Sequence, residues 1–426
     1  MPPEQGRIQD RRSSCALACA FRTDPGGASP MAEISTGQMV RLQRERRGMS
    51  TTALATQSGC TTRHIELIEH GKRTPSLPLL RQIAKVLGVR TTVLLGETPR
   101  DSHEPSRPQI RDIERALFTC RTLTPDLEPP DAEQLTERVA AARTAWFTSA
   151  RRYSILMAAL PSLLSDAENL ALERTPGARN VATDAYLLAR GVLKHLGRVD
   201  LAHLAADRAM RYAEESADPL MTAWAYWSLG QSMLSDDMHQ IAYDVARRGL
   251  DVLEPHVADG DERHRKALGA LHLLAAVGAA RSGDDDEARE RLRGPATQLA
   301  ERVREGSDCY DLAFFGPTNV AIHMASIEND AGRPDAVLRI ADDIDLRRTP
   351  SIERRTTHLC HVARACEDLG DDAASLLHLL RLERESPEEL AHKPLLREMV
   401  RALARRARPS WAPEVRFLAE RHGILI

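Results

Sequence analysis

The stretch Gly48-Met49-Ser50, Gly59-Cys60-Thr61-Thr62-Arg63 and Ile65, then Ile68-Glu69-His70-Gly71-Lys72-Arg73-Thr74-Pro75-Ser76, decides the fold of this 426-residue chain. Its punctuation is local and helical. Gly48 closes one helix, and Ser50 stands where a side-chain oxygen accepts from the orphan N–H groups of the next. Gly59 breaks the second helix early. Thr61 caps a third, running to His70, and Gly71 ends it. Pro75-Ser76 opens a fourth, in which Leu80, Ile83, Ala84 and Leu87 form one buried stripe at helical spacing.

Outward from this block the organisation changes on both sides. Residues 1–34, rich in Arg, Ser, Pro and Gly, have no helical period and are expected to be disordered. Residues 35–96 are the short-helix unit. Residues 97–131, with three prolines between Gly96 and Pro108, read as a linker with one short helix from Gln109 to Cys120. Residues 132–426 are helical pattern almost throughout. Their turns share a form, at Gly197-Arg198-Val199-Asp200, Gly283-Asp284-Asp285, Gly332-Arg333-Pro334-Asp335 and Gly370-Asp371-Asp372. Glycine ends one helix in a left-handed cap and the acid favours the positive start of the next. With a further turn at Ser235-Asp236-Asp237, the steps are 38, 48, 49 and 38 residues, a period at which helix pairs stack into a solenoid. The expected fold is all-α: a helix-turn-helix bundle, then an α-solenoid of roughly seven helix pairs.

Composition agrees. Aromatic residues are only 4% and runs of strand-forming types are absent. The net charge is −3, but residues 31–100 hold 11 Lys and Arg against 5 Asp and Glu, so the rest of the chain is acidic. A basic unit joined to an acidic one points to a nucleic-acid module on an unrelated partner. Seven cysteines without framework spacing suit a reduced, cytoplasmic protein. No contiguous apolar run approaches a membrane span, and no membrane partner is expected.

The block Thr36–Glu97 resembles the phage-repressor-like (XRE) helix-turn-helix family, on Arg44, Gly48-Met49-Ser50, Leu54-Ala55, Gly59, Ile65, Ile68 through Ser76, Leu80, Ile83-Ala84 and Leu87-Gly88-Val89. The resemblance implies that the third helix enters the major groove, with Thr61, Thr62, Arg63 and Leu67 meeting the bases. Arg63 suits a guanine edge and Leu67 a thymine methyl. It implies that Thr51, His70, Lys72 and Arg73 contact phosphates, which set register without reading sequence. Arg44 and Glu69 match a structural pair bridging the first and third helices. Two positions depart from the family: Thr51 stands where a longer Gln is usual, and Glu66 brings a negative charge to the groove. Arg41, Arg46 and Arg47 read as a solvated face.

Residues 131–426 resemble tetratricopeptide-type repeats, best around Tyr186, Gly197, Ala202, Ala205, Ala206, Ala209, Ala213 and Pro219. This half behind an XRE module resembles regulators of filamentous actinobacteria and, more loosely, peptide-sensing regulators of other bacteria. The implied function is a DNA-binding transcriptional regulator, homodimeric on double-stranded DNA, with the repeats supplying dimerisation and sensing of a peptide or small molecule. A protein-interaction scaffold with a vestigial helix-turn-helix is the alternative. Trp224, Trp227, Phe314, Phe315 and Asn319 are candidates to line a ligand groove; filling gaps between alanine-rich helices is the competing explanation. His358, Cys360, His361 and Cys366 are read as repeat packing, since Cys360 points off the face the others share; no metal is expected. The basic run Arg401–Arg408 is read as a solvated helix face. No phosphate loop, nucleophile elbow or other catalytic signature occurs, so no catalytic residue, cofactor or enzymatic activity is expected.

Overall fold

The computed structural model describes residues 35–95, 108–118, 130–257, 261–305 and 313–426. The expected disordered extension at 1–34 and most of the expected linker lie outside the described residues. What is described of the chain is all-helical, and it falls within one compact unit.

The N-terminal bundle comprises α1 (Thr36–Arg46), α2 (Thr51–Gln57), α3 (Thr62–Glu69), α4 (Leu77–Leu87) and α5 (Thr91–Leu94). Its core is aliphatic: Val40, Leu54, Ile65, Ile68, Leu80, Ile83, Leu87 and Leu94 are buried together. The turn glycines Gly48, Gly59, Gly71 and Gly88 all take positive φ. The expected short helix is α6 (Pro108–Phe118), which buries Ile113 and Leu117 against the next domain.

The repeats follow as α7 (Ala132–Thr148), α8 (Arg152–Leu170), α9 (Pro176–His195), α10 (Val199–Ser216), α11 (Pro219–Ser235), α12 (His239–Leu253), α13 (Glu262–Ser282) and α14 (Asp285–Arg291). Then come α15 (Thr297–Ala300), α16 (Pro317–Asp330), α17 (Pro334–Asp342), α18 (Ile352–Asp368), α19 (Asp372–Glu385), α20 (Pro387–His392), α21 (Pro394–Arg406) and α22 (Ala412–Arg421). Consecutive helices pack as hairpins: α9 on α10, α11 on α12, α18 on α19. The turn glycines Gly197, Gly283, Gly332 and Gly370 are left-handed, as is Asp237 in the turn after α11.

Small residues let these helices approach closely. Ala202, Ala205, Ala206, Ala209 and Ala213 of α10 are all buried, as are Ala185 and Ala189 of α9. Gly269 of α13 is a site of contact: a Cβ there would stand 2.0–2.3 Å from the Phe315 ring. α8 with its following turn is long and apolar enough to cross a membrane by length and composition. Its polar residues interrupt the contiguous apolar run that a sequence scan seeks. Here Leu156, Leu160, Leu163 and Leu164 enter the main core, and Arg152 is fully buried against Glu389.

The bundle does not stand apart from the repeats. Arg81 of α4 reaches Asp330, at the C-terminal end of α16, at 2.8 Å, and Arg281 of α13 holds the same carboxylate at 2.8 Å. Arg90 pairs with Asp236 at 3.0 Å, and the Thr91 amide at the start of α5 donates to Asp237 at 2.7 Å. Arg364 of α18 donates to the Pro75 carbonyl. The basic run near the C-terminus is part of this contact rather than a solvated face. Arg406 donates to Thr74 Oγ1 at 3.2 Å while paired with Glu367 and Asp372, and Arg401 is buried beside Glu398.

Candidate nucleic-acid interface and a charged cavity

The local chemistry of α2 and α3 sets the first candidate site. Ser50 Oγ accepts from the Ala53 amide at 3.0 Å, and Thr61 Oγ1 from His64 at 3.2 Å, each satisfying an orphan donor at a helix start. Ile65 and Ile68 are fully buried, and α3 is fixed from beneath by Arg44. Its Nε and Nη2 bond the two Glu69 oxygens at 2.6 and 2.9 Å, and Nη1 donates to the Met49 carbonyl at 2.8 Å. That forked bond to Glu69 raises the Arg44 pKa above its ordinary value. The pair ties α1, the α1–α2 turn and α3 into one piece.

The opposite side of α3 is open. Thr61, Arg63, Glu66 and His70 are exposed, Thr62 and Leu67 half-buried. No carboxylate of the described residues lies within 4 Å of Arg63, so Glu66 does not occupy its guanidinium. His70 Nδ1 lies 2.6 Å from the Glu66 carbonyl, which folds the ring back onto the helix end. Lys72 and Arg73 are exposed just beyond it, and Thr51, the first residue of α2, is half-buried. The repeats meet the bundle at α4, α5 and the Thr74-Pro75 segment, and also at its edge, where Arg405 lies against Gly71.

The second site is a part-open cavity of about 60 Å³ inside the repeats. Trp146, Phe147 and Trp227 supply apolar wall, and α9 presents Arg190, Gly191, Lys194 and His195 to it. Arg190 is 4% exposed, with Nε on Ser228 Oγ at 2.9 Å and the guanidinium 5.1 Å from the Trp227 ring centre. Lys194 Nζ bonds Gln231 Oε1 at 2.9 Å. Both Ser228 and Gln231 are neutral groups of α11. Burial lowers Arg190 to about 10; burial, then repulsion from Arg190, lowers Lys194 to about 7. The cavity's carboxylate, Glu353, is already engaged by Arg354 and lies 3.7 Å from His195. Burial opposes its charge, yet Arg354 and His195 hold it well below the usual range. Burial keeps His195 and His323 neutral, each near 4.

Of the residues singled out for a groove, Trp227 and Asn319 line this cavity. Asn319 is 2% exposed and donates to the Ala313 carbonyl at 2.8 Å. Trp224 is buried and edge-on to Trp227, ring centres 5.6 Å apart. Phe314 packs edge-on against Phe147 at 4.6 Å, and Phe315 fills the space above Gly269. These three are core residues behind the wall. The sequence reading did not single out Arg190, Lys194, Glu353 or Arg354. Its one available signal was a pair of cations four residues apart within the apolar run from Tyr186 to Leu196.

Residues 37–96 match a family described as a helix-turn-helix domain. Over 89 residues, 21% of the chain, it is 41% identical to HTH-type transcriptional regulators from two Mycobacterium tuberculosis strains, CDC 1551/Oshkosh and ATCC 25618/H37Rv. The match spans 60% of the length of those relatives. Among solved structures, Bacillus thuringiensis PlcR in complex with the peptide PapR7 and DNA overlaps 63% of this chain and 95% of its own, at 12% identity and TM-score 0.27. ComR of S. thermophilus in complex with DNA and its signalling peptide ComS overlaps 82% and 99%, at 13% identity and TM-score 0.30. Overlap at that level places no residue of this chain.

Proposed function

We propose that the chain is a sequence-specific DNA-binding transcriptional regulator whose repeat domain senses a ligand. The observation that carries this is the accessible side of α3: Arg63 is exposed and Thr62 and Leu67 are half-buried on a helix pinned by the Arg44–Glu69 pair, with exposed His70, Lys72 and Arg73 at and beyond its end. A helix so presented fits the major groove, and a free guanidinium at its start suits the paired acceptors of a guanine edge. Thr61 serves α3 as its cap and keeps its hydroxyl proton for a base or phosphate. Lys72 and Arg73 set register on the backbone. Two copies reading half-sites about one helical turn apart give the homodimeric arrangement such modules use.

Binding to duplex DNA at a series of salt concentrations tests the role. Phosphate contacts release counterions, so affinity falls steeply with salt, and Lys72→Ala reduces the slope of log K against log salt by about 1. Salt-insensitive binding, or none at low salt, would favour an interaction scaffold whose helix-turn-helix no longer meets DNA.

A further inference from the structure

Arg190 and Lys194 sit four residues apart on one face of α9, inside the cavity, where buried charges are ordinarily paired. No carboxylate of the described residues lies within 4 Å of either; their partners are a hydroxyl and an amide. Arg190 uses only Nε for Ser228, leaving both terminal nitrogens without a hydrogen bond among the described residues. Those two nitrogens and Nε make the planar fork that meets a carboxylate edge-on. Glu353 is spoken for by Arg354. Three cations and one carboxylate thus share the cavity, and the excess sits on the α9 side beside Trp227.

We propose that Arg190 and Lys194 form the anion subsite of a cavity for a small monocarboxylate, whose apolar body lies against Trp146, Phe147 and Trp227. The proposal rests on the sensing role above and gives it a chemical class. At roughly 10–15 Å³ per water, the free space holds about four to six waters, which suits a small organic acid rather than an extended chain. Burial lowers the affinity of both side chains for protons, and a carboxylate bound beside them would supply the counter-charge that Glu353, held by Arg354, gives only from a distance.

Titration calorimetry on the full chain, with benzoate, hexanoate and indole-3-acetate as probes and benzamide as the neutral match, tests this. Benzoate or another of the acids binds and benzamide does not. Arg190→Met and Lys194→Met each weaken the acids by about 10- to 100-fold, as expected for loss of a charge-assisted bond, whereas the exposed Arg248→Met does not. The unliganded Arg190→Met protein melts no lower than wild type, because an uncompensated charge has left the interior. Gly191→Leu keeps both charges but occupies the space beside Trp146, and it too abolishes binding. The proposal is overturned if none of the three acids binds wild type, if the Met variants bind them as well as wild type does, or if phenyl phosphate is strongly preferred. Duplex DNA affinity measured on the same samples separates the two readings: acid binding without DNA binding removes the regulator role and leaves the subsite.

Discussion

Arg44 has three nitrogens engaged beneath α3, and Glu69 contributes a side chain only 4% exposed. Removing one partner of such a pair strands the other charge, so Arg44→Met should cost about 3 kcal/mol. The double variant Arg44→Met/Glu69→Leu should recover much of that, because a buried pair replaced by apolar groups loses little. Denaturant titrations of both variants check this; a double variant as unstable as the single would show that packing rather than charge is at stake. Gly37 poses a different constraint. A Cβ there would stand 2.0 Å from the Ile68 carbonyl oxygen, so Gly37→Ala must push α1 off α3, at a cost of about 1–3 kcal/mol. The Arg44–Glu69 pair was expected from resemblance and is present. Gly37 could not be read from sequence, because its constraint comes from backbone 31 residues away.

Among the helices, α9 carries the most conspicuous electrostatic burden. Lys194 faces Arg190 one turn back, Gln231 from α11, Glu353 and Arg354 from α18 and Arg281 from α13. Its pKa is lowered to about 7 from 10.5. Between those values the unfolded chain binds more protons than the folded one, so this group makes stability rise with pH across that window, with its full cost present below pH 7. Lys194→Met should flatten the rise in urea midpoint between pH 7 and 10; an unchanged profile would mean that Lys194 is not the group titrating. The element-level punctuation was legible because it is local. Ser50 and Thr61 cap as expected, and Gly197, Gly283, Gly332 and Gly370 take the left-handed conformation their turns require. The role of α9 was hidden because a cation on an alanine-rich helix looks solvated until the opposing helix is known. The aromatic residues were ambiguous for the converse reason: Phe315 and Trp227 look alike in sequence, yet one fills the notch above Gly269 and the other faces the cavity.

At the scale of the whole molecule, three helices of the repeats touch both the cavity and the helix-turn-helix bundle. Along α16, His323 lines the cavity and Asp330, seven residues on and about 10 Å along the axis, takes Arg81 of the bundle. Along α18, Arg354 lines the cavity, and Arg364, about 15 Å further, donates to Pro75. α11 carries Trp227 and Gln231, and its closing turn supplies Asp236 and Asp237 to Arg90 and Thr91. A ligand biases the placement of the bundle only as far as it binds one placement better than another. Under the proposed sensing role, these three helices are the elements that touch both the cavity and the bundle. Burial opposes the charge of Asp330, but Arg281 and Arg81 hold it well below the usual range. Asp330→Asn leaves two guanidiniums facing each other, so backbone amides of α4 and α5 should exchange faster with solvent; unchanged exchange would mean that docking does not depend on this contact. None of the docking was legible in sequence. Arg81 and Asp330 are 249 residues apart, and each alone resembles a surface charge.

The proposed regulator role stands or falls on α3 reading base sequence. Selection from a random duplex library with sequencing, on wild type and on Arg63→Ala, tests it most directly. The expected result is a two-fold-symmetric motif for wild type that is relaxed or lost in Arg63→Ala, with about 1–3 kcal/mol of discrimination removed at one base pair of each half-site. An identical motif from both proteins, or no enrichment in either, would contradict it.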